Sequence, residues 1–210
     1  MLEVKNLQFG YEFPLVVGLD FLVPSGEIRL LHGPSGCGKS SLLEVLSGIA
    51  DKSLDWQGSI SLNGVDIGSL PAIKREVGLM FQDPLLFPHM SVGDNLAFGL
   101  TMKRQGRVKR WEAVAEALSA WGLEDFADRD PASLSGGQKA RVALMRALLA
   151  APKMLLMDEA YSSLDPELRN QFGRFVADQI RVRDIPALLV SHDPEDRLYT
   201  SGKIIHFPKP

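Results

Sequence analysis

The stretch GPSGCGKS, residues 33–40, matches the phosphate-binding pattern G-x-x-x-x-G-K-[ST]. It follows the apolar run EIRLLHG, which predicts a short buried strand, and it precedes KSSLLEVLSGI, whose apolar residues have helical spacing. Glycines in such a turn let backbone N–H groups wrap phosphates, Lys39 would add a positive charge for the β- and γ-phosphates, and the Ser40 hydroxyl would bind Mg²⁺. The nucleotide-binding residues predicted from this stretch are Gly33, Pro34, Ser35, Gly36, Cys37, Gly38, Lys39, Ser40 and Ser41.

A second apolar run, KMLLMDE at residues 153–159, ends in two acidic residues. It predicts a strand that delivers Asp158 to the carboxyl edge of a sheet, where open α/β sheets place their ligands. Asp158 would hold Mg²⁺ directly or through water. Glu159 would polarise an attacking water, because successive residues leaving a strand point to different sides. Acids after a strand can also cap a helix, but downstream of a phosphate loop we interpret these two as catalytic machinery.

The stretch LSGGQKAR, residues 134–141, begins another helical pattern. Adjacent glycines destabilise a helix interior by about 1 kcal/mol each relative to alanine, so they belong at its start. There, unpaired backbone N–H groups and the capping residue Ser135 form a ready anion site. The chain therefore carries a second predicted phosphate site in addition to the first.

The order of elements predicts an α/β fold with one domain over residues 1–210. Strands and helices alternate in the second half, which predicts a mainly parallel sheet of P-loop NTPase type. An antiparallel β subdomain opens the chain, with a hairpin turn at Asn63 and Gly64. The pattern changes to helices over residues 83–134, which we interpret as an inserted helical subdomain between core segments 1–82 and 135–210.

The composition excludes several classes of protein. The chain has 210 residues, 45% of them hydrophobic, and a formal net charge of −3 with scattered basic residues, which gives no reason to expect nucleic acid. The N-terminus lacks the pattern of an export signal and the apolar runs have strand length, so we expect a cytosolic or peripheral protein. The single cysteine, Cys37, cannot form an internal disulfide, in agreement with a reducing compartment.

The order of the motifs supports a family resemblance. The phosphate loop, Gln82, LSGGQ, LLMDE, the SSLD at residues 162–165 and the SHD at residues 191–193 follow one another as in the nucleotide-binding subunit of ATP-binding cassette (ABC) transporters. The chain resembles that family from Leu2 to about Phe207. The resemblance implies ATP and Mg²⁺ as cofactors and ATP hydrolysis as the reaction.

The resemblance also implies a dimer, either of two copies or with a similar ATPase. In that family the LSGGQ segment of one subunit closes over the ATP held by the phosphate loop of the other, in a head-to-tail arrangement. Asp165 resembles the aspartate that contacts the partner across the dimer, although Asp165 followed by Pro166 also fits a helix start. The residues implied to act in trans are Ser135, Gly136, Gly137 and Gln138.

Other matching positions would complete the site within one chain. His192 matches the switch histidine, which is expected to touch the γ-phosphate and help position the water near Glu159. Gln82 would sense Mg²⁺ and that water. Tyr11 lies where the family stacks an aromatic ring on adenine, although a tyrosine there could also pack within the hairpin.

The segment VGLMFQDPLLFPHMSVGDNLAFGL, residues 77–100, resembles prokaryotic importers of small solutes and ions more than exporters. We expect integral membrane permease subunits to dock on its apolar run between Gln82 and Met90, unless these side chains fill the core of the insert. A solute-binding protein would be a further partner. The chain would then lie on the cytoplasmic face of the cell membrane.

Two alternative functions remain open from the sequence. A soluble ABC ATPase acting in DNA repair or on ribosomes would use the same phosphate chemistry, but such relatives usually carry a long coiled coil or a second cassette, which is not seen here. A module that binds nucleotide without hydrolysis is disfavoured by Glu159 and His192. Three departures from the family pattern affect expected rates rather than chemistry: Ala160 in place of proline, Ser163 in place of alanine, and the unusual loop DKSLDWQG.

Overall fold

The computed structural model describes residues 1–100, 106–162 and 164–207. The helices in this part of the chain are α1 (Lys39–Ser47), α2 (Ala72–Arg75), α3 (Val92–Gly99), α4 (Arg107–Ala120), α5 (Gly136–Leu149) and α6 (Pro166–Arg183). Short 3₁₀ helices span Glu124–Phe126, Pro131–Ser133 and Pro194–Tyr199. The strands are β1 (Leu2–Gly10), β2 (Pro14–Val23), β3 (Ile28–His32), β4 (Asp55–Leu62), β5 (Val65–Asp66), β6 (Val77–Met80), β7 (Met154–Asp158), β8 (Ala187–Val190) and β9 (Ile205–His206).

The central sheet has the order β6-β7-β8-β3-β9, and all its neighbouring strands are parallel. Strands β7 and β8 are buried along almost their whole length, which explains why their sequences, MLLMD and ALLV, are apolar without alternation. The parallel sheet predicted from the alternation of strands and helices is confirmed. The last strand, β9, is only two residues long.

Two hydrophobic cores lie on opposite faces of this sheet, because successive strand residues point to opposite sides. On one face, Leu156 and Leu188 pack with α1 and with the antiparallel strands. On the other, Leu155 and Leu189 pack with α5 and α6. The sheet is therefore covered on both sides, and its strand ends are the part left to form a site.

The N-terminal half contributes a separate antiparallel sheet with the order β2-β1-β4-β5. Strands β4 and β5 form the predicted hairpin, and its turn residues Asn63 and Gly64 have φ values of 52° and 79°. Two consecutive positive φ values match the turn that fits the twist of paired strands. This confirms the antiparallel subdomain that the sequence predicted at the start of the chain.

A third core joins the inserted helices to α5. Val92 and Leu96 of α3 and Leu118 of α4 pack against Val142 and Met145 of α5. Helix α5 thus contributes to this core and also to the core beneath the parallel sheet. After α4, the segment EDFADR at residues 124–129 forms only the 3₁₀ turn Glu124–Phe126. Within the described residues, no helix combines the length and apolar character needed to cross a bilayer.

The C-terminal end of helix α1 is held by hydrogen bonds from the buried guanidinium of Arg75. It donates to the carbonyl oxygens of Val45 at 2.6 Å and Leu46 at 3.1 Å, near the C-terminal end of α1. It also donates to the carbonyls of Gly68 and Leu70, both at 2.8 Å. One side chain therefore bonds to two carbonyls at the end of α1, of which that of Val45 also accepts from the N–H of Gly48.

We expect Arg75→Ala to lower the free energy of unfolding by about 3 kcal/mol, because buried carbonyls would lose a charged donor. For a chain of this size the melting temperature would fall by about 10 °C. The matched control is Lys74→Ala, which changes an exposed residue of the same helix and should stay within about 0.5 kcal/mol of wild type. Equal melting temperatures for the two variants would show that these hydrogen bonds of Arg75 do not stabilise the fold.

Candidate functional site

The parallel register gathers the predicted site residues at one edge of the sheet. Leu31, near the end of β3, pairs with Val190 of β8, and Val190 pairs with Asp158, the last residue of β7. The segments that leave these strands are the phosphate loop, Glu159 and the loop containing His192. Gln82 follows the end of β6, two residues after Met80.

The phosphate loop has the backbone shape that its glycines permit. Gly38, immediately before α1, has a φ of +99°, a conformation that side chains with a Cβ disfavour. At Gly33 the restriction is space, since a Cβ there would lie 2.8 Å from the Cβ of Phe207 and 3.1 Å from the sulfur of Cys37. Cys37, which is itself a residue of the loop, has a buried side chain. These contacts explain the spacing of the motif in local steric terms.

Lys39 is held inside the loop that it is expected to serve. It is only 6% exposed, and its ammonium group donates to the carbonyl oxygens of Gly33 at 2.9 Å and Pro34 at 2.7 Å. An ammonium has three N–H donors. The third contact is to Cys37 Sγ at 3.9 Å, a weak acceptor, so this is the donor available to a phosphate oxygen. The loop thus holds a positive charge among its backbone groups, and this donor set fits a polyphosphate.

A cleft of about 370 Å³ opens over the loop. Tyr11 lines it and is 48% exposed, so this residue is not packed within the hairpin core. Gln82 is exposed and Asp158 is half-buried, and neither lines this cleft. The residues that line it are Tyr11, Leu15, Ser35, Gly36, Gly38, Lys39, Ser40, Ser41 and Glu159.

Glu159 and His192 are in contact at the edge of this cleft. The Nδ1 atom of His192 lies 3.1 Å from Oε1 of Glu159, with the histidine side chain 55% exposed and the glutamate 23% exposed. Glu159 also has a φ of +48°, in the left-handed region that costs a residue with a side chain on the order of 1 kcal/mol or more. Its N–H donates to the carbonyl of Val190 at 2.9 Å, which holds this conformation in place.

The start of α5 forms a capping box. Ser135 Oγ accepts from the N–H of Gln138 at 3.3 Å, and Gln138 Oε1 accepts from the N–H of Ser135 at 2.9 Å. Gly137 is buried because the side chain of Leu168 occupies the space where its Cβ would lie. The second glycine therefore serves packing between α5 and α6, a role that the sequence did not suggest.

None of the residues 135–138 lines the cleft over the phosphate loop of the same chain. Ser135 and Gly136 are exposed, as is Asp165, which caps α6 by accepting from the N–H of Leu168 at 3.0 Å. The helix-start interpretation of Asp165 and Pro166 is thus confirmed. An exposed helix start placed away from its own cleft is free to meet another chain.

An apolar groove of about 540 Å³ lies beside these elements. Leu85, 52% exposed, and Phe98, 60% exposed, face it, whereas Leu86 packs against the core of the inserted helices. The apolar run after Gln82 is thus divided between the groove and the core. The residues that line the groove are Ile73, Val77, Gly78, Leu79, Met80, Phe81, Pro84, Leu85, Phe87, Phe98, Gly99, Leu100, Ala143, Arg146, Ala147 and Ala150.

The residues that support His192 were missed by the sequence analysis. Ser191 and Asp193 flank it, and they bond to Asp196 and Arg169 respectively. The motif SHD includes Ser191 and Asp193. Nothing in the sequence linked these two residues to Arg169, which lies on α6. Among the residues described, no group of three or more His, Cys, Asp or Glu side chains forms a metal cluster. A Mg²⁺ ion held by phosphate oxygens, Ser40 and Asp158 would not need one.

The model of one protein family, described as ABC transporter, matches residues 16–162. The chain belongs to the ABC transporter family. It is 45% identical over 197 residues to the uncharacterized ABC transporter ATP-binding protein YnjD of Escherichia coli K12, covering 93% of this chain and 90% of that protein. These matches confirm the resemblance to nucleotide-binding subunits of ABC transporters and the assignment to ABC-type ATPases.

Other relatives are longer ATP-binding proteins, named for import or for transport. The spermidine/putrescine import ATP-binding protein PotA of Hahella chejuensis is 43% identical over 90% of this chain, and the putrescine transport ATP-binding protein PotG of Escherichia coli K12 is 39% identical over 97%. This chain spans 51% and 54% of their lengths.

A solved structure confirms the predicted fold class. It is the dimeric post-hydrolysis state of the ATP-binding cassette MJ0796 bound to ADP and Pi, with a TM-score of 0.83 at 25% identity. The match covers 99% of this chain and 94% of that one.

Proposed function

We propose that this chain is the ATP-hydrolysing subunit that drives solute import through a separate membrane permease. The observation that carries the proposal is the contact between Glu159 and His192 beside the loop that holds Lys39. A carboxylate next to a phosphate loop can take a proton from water, which a module that only binds nucleotide would not require. The name of the PotA relative, an import protein, and that of PotG, a transport protein, favour solute import over action on DNA or ribosomes.

In the proposed reaction the loop binds ATP and Lys39 contacts the β- and γ-phosphates, while Tyr11 stacks on the adenine. Glu159 takes a proton from water as the water oxygen attacks the γ-phosphorus, and the bond to the ADP oxygen breaks to give ADP and phosphate. His192 holds the carboxylate of Glu159 in position from the γ-phosphate side. Ser40, Asp158 and Gln82 would hold Mg²⁺, which neutralises charge on the phosphates when bound.

We further propose that the site is completed by a second copy of the chain or by a similar ATPase. Residues 135–138 would bring a helix start with a favourable dipole, and the N–H groups of Gly136 and Gly137 that lie outside the capping box, to the γ-phosphate of the partner. The support is that none of them lines the cleft of its own chain, together with the likeness to a dimeric cassette. Asp165 would contact the partner beside them.

We place the permease at the apolar groove that Leu85 and Phe98 line. The groove lies next to Gln82 and between β6, α3 and α5, so a movement at the nucleotide could reach a protein seated there. An exposed apolar surface of this kind is typical of a partner site. The chain would then work at the cytoplasmic face of the membrane, with a solute-binding protein delivering the substrate to the permease.

We expect Glu159→Gln to bind ATP with near wild-type affinity and to lose hydrolysis by a factor of about 100 or more, because the proton acceptor is removed. It should also accumulate an ATP-dependent dimer, measured by light scattering on a sizing column. Glu112→Gln changes an exposed residue of α4 and is the matched control. Turnover at the wild-type rate by Glu159→Gln would overturn the assignment of the base.

Two doubly altered dimers, purified through different tags, test completion of the site in trans. With Ser135→Arg in one chain and Lys39→Ala in the other, both changes fall on one composite site, and the second site stays intact. With both changes in the same chain, both composite sites are damaged. We expect ATP hydrolysis only from the first dimer. The reverse result would mean that residues 135–138 act within their own chain.

We expect Leu85→Asp to abolish co-purification of a membrane protein from detergent-solubilised membranes, because a carboxylate would be buried in the groove. Affinity for ATP should stay unchanged. Val182→Asp places the same charge at an exposed position on α6 and should co-purify as the wild type does. Equal recovery of the partner with both variants would place the permease elsewhere, and recovery of ribosomes or DNA instead would favour the alternative function.

A further inference from the structure

His192 lies in a loop, and the residues on either side of it, Ser191 and Asp193, are both bonded to other parts of the protein. Ser191 is buried, and its Oγ donates to Asp196 Oδ2 at 2.6 Å while accepting from the N–H of Asp193 at 3.0 Å. Asp196 lies in the 3₁₀ helix Pro194–Tyr199 and is 2% exposed. The backbone on both sides of His192 is thereby tied to one buried carboxyl group.

A second tether comes from helix α6. The guanidinium of Arg169 forms an ion pair with Asp193, and it also lies 3.5 Å from the carbonyl oxygen of Leu164, to which it donates. Leu164 directly precedes Asp165, which caps α6. Arg169 therefore connects the turn before α6 to the loop that contains His192.

The side chain of His192 has little support of its own. It is 55% exposed, and its contact in the described structure is with Glu159. Its position must then follow from the course of the backbone between Val190 and Asp193. Val190 is fixed by the sheet and by the N–H of Glu159, and the remainder depends on the bonds to Asp196 and Arg169.

The burial of the Asp196 carboxyl group is energetically unfavourable. Burial raises the pKa of its carboxyl group, and only the hydrogen bond from Ser191 and the charge of Arg169 act in the opposite direction. Its Oδ1 atom is buried without a hydrogen-bond partner among the described residues. This carboxyl group lowers stability and does not line the cleft. Its presence is explained if it holds the neighbouring residues in position.

We propose that Arg169 and Asp196 are positioning residues that fix His192 against Glu159 for ATP hydrolysis. The inference rests on the proposed function, since it assumes that Glu159 and His192 act in hydrolysis. Arg169 and Asp196 touch neither the phosphate loop nor the cleft, so they should affect the reaction step and leave ATP binding alone. A shift of about 1 Å in a group that orients the reactants can cost about 100-fold in rate.

The test is steady-state hydrolysis by purified protein carrying Arg169→Gln, Asp196→Ala or Asp193→Asn. Each should lower kcat by about 10- to 100-fold with KM for ATP within about twofold of wild type. Asp196→Asn should recover most of the rate, because its amide oxygen can still accept from Ser191. Arg174→Gln, at an exposed position on the same helix, is the control that should keep the wild-type rate.

A double-mutant cycle separates positioning from general support of the fold. In a His192→Ala background, Arg169→Gln should lower the residual single-turnover rate by less than about twofold, because its effect passes through His192. An equal loss in both backgrounds, or a wild-type kcat for Arg169→Gln and Asp193→Asn, would overturn the proposal. Asp193 is exposed enough for its variant to fold if Asp196→Ala does not.

Failure of this proposal differs from failure of the proposed function. Wild-type protein and Glu159→Gln are assayed in the same series. If wild type hydrolyses ATP and Glu159→Gln does not, a full rate from the Arg169 and Asp193 variants contradicts only the positioning role. If wild type does not hydrolyse ATP, the proposed function itself fails.

Discussion

The parallel register of β6, β7, β8 and β3 determines where the loops of the candidate site lie. Parallel strands present their carboxyl ends at one edge, and the pairs Leu31 with Val190 and Val190 with Asp158 align those ends within one residue. The loops that follow are therefore neighbours even though they are far apart in sequence. A shift of one residue in β8 would move His192 away from Glu159 and would exchange the two faces that the cores cover.

Around this edge, the elements hold the loops in shapes that short segments would not keep alone. Lys39 is bonded to carbonyls of its own loop, Arg75 closes the far end of α1, and Val190 holds the left-handed backbone of Glu159. Several charged side chains are buried as a result, among them Lys39, Arg75 and Asp196, and each of these three forms at least one hydrogen bond. The turn between β1 and β2 contributes Tyr11, and the inserted helices form one wall of the apolar groove.

The sequence predicted the parts of the molecule whose chemistry is local. The loop at residues 33–40, the acids that end β7 and the capping box at Ser135 are recognisable because neighbouring residues determine them. Contacts between distant residues left no such signal. Leu168 fills the space beside Gly137, and Arg169 reaches Asp193 across 24 positions, so only the packing of α6 brings these pairs together. Leu85 and Leu86 are adjacent and apolar, and only the fold decides that one faces the groove and the other the core.

We propose that each chain carries two half-sites, one at Lys39 and one at Ser135, which meet only between chains. The most direct measurement is a structure of the Glu159→Gln protein with Mg²⁺ and ATP. We expect the γ-phosphate to contact Lys39 of one chain and residues 135–138 of another. A γ-phosphate enclosed by residues of a single chain, with residues 135–138 exposed to solvent, would contradict it.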